Sequence, residues 1–253
     1  MQWLFNKKLA AGVLLGVSLS IGLFKLWPSS HPYQKMMEPY LLPSDHPIKN
    51  KLDALFSSNR VISNEQTLRA AGFEIVASTK WSYITVARHP DMPGFVFKLY
   101  LDTEKRTKQG IPHCEWLINR CIGAEKIRKI IQAKNLHYFT VPEKWLYVLP
   151  STQQQDLEPM ILVATDMELE NKSMSSLAWK TRITKDHLDE LYSILKEGTG
   201  SVYATSNIPY TKNGTFAFID TEHPDKKVKL AKLIKYFSEE NQQYWQKLTN
   251  SSP

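Results

Sequence analysis

Cysteine is scarce: Cys114 and Cys121 are the only two in 253 residues, too few for a disulfide framework, and no metal-ligand motif accompanies them. On one helix their spacing is a rise of about 10 Å, beyond the reach of a disulfide. Both therefore read as small buried apolar residues. Glycine (10) and proline (14) are too sparse for a disordered or fibrous chain, and no internal repeat is found. The charge is lopsided only mildly. A net charge of +7 favours an anionic partner, such as a membrane surface or a phosphate-bearing ligand, but does not imply nucleic acid. What remains is globular in composition, 42% hydrophobic and 23% charged, and long enough for one domain of ordinary size or two small ones.

Residues 9–24 carry no charge and are flanked by Lys7, Lys8 and Lys25. After a basic flank at 1–8, the segment 9–27 reads as an uncleaved membrane helix. The alternative is a signal peptide whose removal releases a secreted form. Basic residues ahead of the run favour a cytoplasmic start, which places the C-terminal domain outside the cytoplasm in a single-pass arrangement. Gly12, Gly16 and Ser20 recur every fourth residue, a stripe suited to a homodimer contact between membrane helices. Prolines at 28, 32, 39, 43 and 47 make 28–50 an extended linker.

The folded part begins near Lys51. Short helices are expected at 52–56 and 66–71, then strands at 73–78, 83–88 and 95–101, the last with Lys98 in its middle. A helix over 114–134 carries Glu125 beside its apolar stripe. Strands follow at 141–149 and 160–165, then a helix at 186–195 capped by Thr184. A hairpin over 207–220 turns at Asn213-Gly214, and an amphipathic helix over 228–248 closes the chain. A two-residue turn there sets Asn207 opposite Asp220. An amide oxygen beside a carboxylate at an open mouth can hold Mg²⁺ and leave positions for phosphate oxygens.

The order of these pieces, with Lys98 on a third strand, Glu125 on the next helix, and Asn207 and Asp220 thirteen positions apart, resembles the protein-kinase-like fold. The resemblance implies an α+β, two-lobed domain: an antiparallel N-lobe sheet within 51–165 and a small, truncated helical C-lobe over 166–253, preceded by the membrane helix. It also implies a nucleotide site, in which Lys98 holds the phosphates of ATP and pairs with Glu125, Glu115 being the second choice. Asp166 and Met167 would form the hinge along the adenine, and Asn207 and Asp220 would hold Mg²⁺. The chain departs from the family's pattern. The loop 78–82 has no glycine, Val202 stands where the catalytic aspartate belongs, Thr221-Glu222 follows Asp220, and only 33 residues remain after it. These departures imply a catalytically degenerate binding or regulatory module. Two alternatives stay open: an ATP- and Mg²⁺-dependent phosphotransferase acting on a small molecule, with Glu222 recruited as base, and a tethered structural domain that binds no nucleotide.

Overall fold

The computed structural model describes residues 33–57, 59–78, 83–104, 107–150 and 158–250. Runs rich in β-branched and aromatic residues in the first half form strands β1 (Glu74–Ser78), β2 (Ile84–Arg88) and β3 (Phe95–Tyr100), and the two-residue pair β4 (Thr107–Lys108) and β5 (Ile111–Pro112) follows. Helix α4 (His113–Lys134), a short β6 (Phe139–Thr140), β7 (Lys144–Val148) and β8 (Met160–Thr165) follow. Five of these strands form one antiparallel sheet in the order β1-β2-β3-β8-β7.

Successive side chains on a strand face opposite ways, so each face of the sheet acquires its own core. Phe97, Leu99, Ile161 and Val163 pack with Leu52, Phe56 and Leu68 of two covering helices, α2 (Lys49–Ser57) and α3 (Glu65–Ala70). Tyr100, Leu146, Leu162 and Ala164 pack on the other face against Cys114, Leu117, Ile118 and Cys121 of α4. Each fully buried aliphatic or aromatic side chain contributes roughly 1.5–3 kcal/mol. Lys98 lies between Phe97 and Leu99 in β3 and therefore belongs to the α4 face.

Beyond the sheet the chain is helical. Asn171 caps α5 (Lys172–Thr181) through Met174 N, and Thr184 with His187 forms a capping box on α6 (Lys185–Leu195). A one-turn α7 (Ala204–Asn207) leads to β9 (Phe216–Ala217), which pairs in parallel with β6. Trp179, Leu188, Leu191, Phe216, Phe237 and Trp245 form the core of this lobe, and Ala124 and Ile127 of α4 join it. The first half of α4 thus belongs to the sheet lobe and its second half to the helical lobe. The architecture is α+β with an antiparallel sheet.

Three expectations are corrected here. Among the described residues no helix is long and apolar enough to cross a membrane, so the membrane-helix, signal-anchor and extracytoplasmic expectations are withdrawn. The segment 9–27 itself, with Gly12, Gly16 and Ser20, lies outside the described residues. The described part of the linker, from Tyr33 onward, is folded against the domain. It forms α1 (Gln34–Met37) and a 3-10 turn (Glu38–Tyr40) started by Pro39, Leu42 N donates to Leu146 O (2.9 Å), and Leu42 and Ile48 are buried. Proline here begins turns because its fixed φ suits a first helical position. The closing helix is two pieces, a 3-10 helix (Leu230–Tyr236) and α8 (Glu239–Asn250). They are separated by Phe237, whose ring goes into the core against Trp179 and Trp245 at 6.0 and 5.3 Å between centroids. Burial of that ring outweighs the local helical preference.

Candidate functional site

The segment 219–222 is where the sheet, α4 and the helical lobe meet, and two close contacts hold it there. Gly123 of α4 lies so close that an added Cβ would stand 2.2 Å from Thr221 O, and Thr221 Oγ1 donates to Arg120 O at 2.6 Å. Four cations converge on this segment. Lys98 Nζ donates to Ile219 O at 2.8 Å. Lys144, at the start of β7, reaches the same carbonyl at 3.3 Å and Thr221 Oγ1 at 2.7 Å. Arg120 is fully buried; its Nε meets Asp220 Oδ1 at 3.2 Å and its Nη2 meets Glu222 Oε2 at 2.5 Å, while Nη1 donates to Tyr100 Oη and Trp116 O, each at 3.3 Å. Lys108 completes the set, donating to Glu222 at 3.0 and 3.1 Å with its ammonium 4.7 Å from the Trp116 ring centroid.

Four basic side chains meet the two carboxylates Asp220 and Glu222, and burial acts on the charge of each. Burial lowers the affinity of Lys98 for its proton, partly offset by Asp220. Lys144 is pushed well below the ordinary lysine value, first by burial and then by the neighbouring Lys98 charge. For Arg120 burial works against the charge, but Asp220, Tyr100 and Glu222 outweigh it and hold the guanidinium protonated. For Asp220 burial favours the neutral acid, yet Arg120, Lys98 and Lys144 keep it below the ordinary carboxylate range.

The structure brings Lys98 and Asp220 together and separates the other residues named from the sequence. Glu125 does not pair with Lys98: it accepts from Tyr40 Oη and from Lys129 Nζ, the latter at 2.6 Å, and those two hydrogen bonds lower its pKa. Glu115 accepts from Tyr33 Oη at 2.8 Å. Asp166 takes a two-point contact from Arg88, 2.7 and 3.1 Å, which ties the end of β8 to β2 beside a half-buried Met167. The hairpin is one residue out of the expected register. Thr211 N donates to Thr215 O and Ile219 N to Asn207 O, so Asn207 faces Ile219 and not Asp220. The loop holds three residues, Lys212, Asn213 and Gly214, because Thr211 Oγ1 accepts from Thr215 N at 3.1 Å and closes it, with Gly214 at φ 92°. Asn207 Nδ2 donates to Ser201 Oγ at 3.0 Å.

These residues do not fit Mg²⁺. The Asp220 carboxylate is bonded to a guanidinium, Asn207 faces Ile219 instead of Asp220, and the neighbouring Arg120 charge repels a divalent cation. Among the described residues no group of three His, Cys, Asp or Glu side chains is placed to hold a metal ion. The residues that dominate the site, Arg120 and Lys144, are not among those the resemblance picks out. Their signal is present in the sequence all the same: a cation in the apolar stripe of Leu117, Cys121 and Ala124, and a lysine in phase with the inward-facing Leu146. The glycine-free loop, at 79–82, lies outside the described residues. No known protein family and no curated protein matches the chain.

Proposed function

We propose that the chain is a kinase-like, two-lobed domain without phosphotransfer activity that serves as a binding module. The antiparallel five-strand sheet with Lys98 in its third strand, the long helix after it and the small helical lobe support the kinase-like part of this reading. The observation that carries the rest is Arg120. A helix that would offer a carboxylate to Lys98 offers a buried guanidinium to Asp220 and Glu222 instead. Lys98 in turn is bonded to the Ile219 carbonyl, leaving the chain's own backbone where a phosphate oxygen would be. Val202 cannot take a proton, so the general-base contribution of about 10²- to 10⁴-fold is missing. Glu222 does not replace it, since Arg120 and Lys108 both hold its carboxylate.

The test is ATP turnover and thermal unfolding of the unmodified chain, each with and without Mg²⁺. The expected result is no turnover and no Mg²⁺-dependent rise in melting temperature. Sustained ATP consumption that requires Mg²⁺ and disappears in Lys98→Met would replace this reading with that of an active phosphotransferase.

A further inference from the structure

The segment after the ion cluster carries Lys226, Lys227, Lys229, Lys232 and Lys235, all exposed, and among the described residues none of the five is in an ion pair. Lys235 lies over the Tyr236 ring, its ammonium 5.0 Å from the centroid. The nearby acids are engaged or few: Asp225 pairs with Lys126, Glu240 with Lys185 at 3.2 Å, and Glu239 stands at the start of α8. Lys232 and Lys235 border an open groove of about 650 Å³ whose apolar wall is Val202, Tyr203 and Ile234. Tyr203 is 59% exposed, unusual for so large a ring. Gly200 fixes this wall: it adopts φ 110°, and a Cβ there would come within 2.5 Å of the Leu195 side chain.

We propose that this groove binds an acidic peptide segment of a partner protein, with one apolar or aromatic side chain seated against Tyr203 and carboxylates reaching Lys232 and Lys235. Charge selects the partner's sign, since unpaired lysines at a rim attract and orient an anionic chain. The apolar wall of Val202, Tyr203 and Ile234 between the lysines gives a peptide side chain a seat, and binding to an anionic membrane is the outcome that the vesicle arm below tests. The proposal rests on the reading of the chain as a binding module and names what it binds.

The probe is a dye-labelled peptide Asp-Glu-Leu-Phe-Glu-Asp, titrated with the full chain at low salt and followed by fluorescence anisotropy. Its counterpart with every acid replaced by lysine serves as the control, and vesicles containing phosphatidylserine form a separate arm. Saturable binding of the acidic peptide alone is expected. The double variant Lys232→Glu/Lys235→Glu should weaken it about tenfold or more, Tyr203→Ser should weaken it several-fold, and Lys212→Glu, an exposed lysine of the hairpin loop outside the groove, should leave it unchanged. Melting temperatures of the variants confirm folding, since all four side chains are exposed. Absence of saturable binding, an equal loss in Lys212→Glu, or binding to the vesicles alone would overturn the proposal. ATP turnover would undo the non-catalytic reading and leave the peptide titration standing, so the two failures are distinguishable.

Discussion

Two regions of this chain are rich in cations and use them in opposite ways. Around 219–222, Lys98, Lys108, Arg120 and Lys144 are bonded to the chain's own carboxylates, carbonyl and hydroxyl. Along the groove, Lys232 and Lys235 stand exposed without an ion-pair partner among the described residues. The first set holds the two lobes together, and the second is available to another molecule. A single net charge for the whole chain merges the two and says nothing about which lysines are free.

The sharpest way to break this contrast is Arg120→Ala. It strands Asp220 and Glu222 without their guanidinium, and urea denaturation should show a loss of about 3–5 kcal/mol. A loss below about 1 kcal/mol would mean that the cluster is no more structural than the rim.

A smaller effect is expected from pH. A buried lysine whose pKa is lowered binds fewer protons in the folded than in the unfolded chain, so stability rises with pH from that lowered value up to the ordinary 10.5. One such group contributes at most about 1.4 kcal/mol per pH unit. Lys144→Met should flatten the rise measured between about pH 7 and pH 9, where tyrosines stay protonated. Lys98, shifted in the same direction, preserves part of it. An unchanged slope in the variant would show that Lys144 stays charged in the fold.

The smallest effects belong to groups at the surface, the exposed Lys232 and the half-buried Glu125. Lys232→Ala and Glu125→Gln should each change stability by no more than about 0.5–1 kcal/mol. A larger cost for Lys232→Ala would reveal a structural role and erase the difference between the two regions.

Much of the fold was legible because the strands are short runs rich in β-branched and aromatic residues. Met160–Thr165 has the bounds read from the sequence, and Lys98 between Phe97 and Leu99 was placed correctly on a strand. The helix partner was not. Residues 120 and 125 are five apart, about 140° around an α-helix, so seeking an acid for Lys98 led to the Tyr40 side of α4 and away from the buried face that Arg120 occupies. The hairpin register depended on a Thr211 hydroxyl that adds a residue to the loop, and the break before α8 depended on where Phe237 could be buried. The first is a local side-chain contact that the pattern of residue types does not reveal, and the second is decided by contacts outside its own turn. The expected membrane helix rested on composition alone, and the described residues contain no helix that meets the requirement.

The contact between Gly123 and Thr221 O limits how this molecule can move. Because α4 contributes to both cores and has no room at residue 123 even for a methyl group, it acts as a splint across the lobes. Sliding or rotating the helix would drive its own backbone into the segment 219–222. Any motion of one lobe against the other would therefore have to carry α4 and the segment 219–222 together.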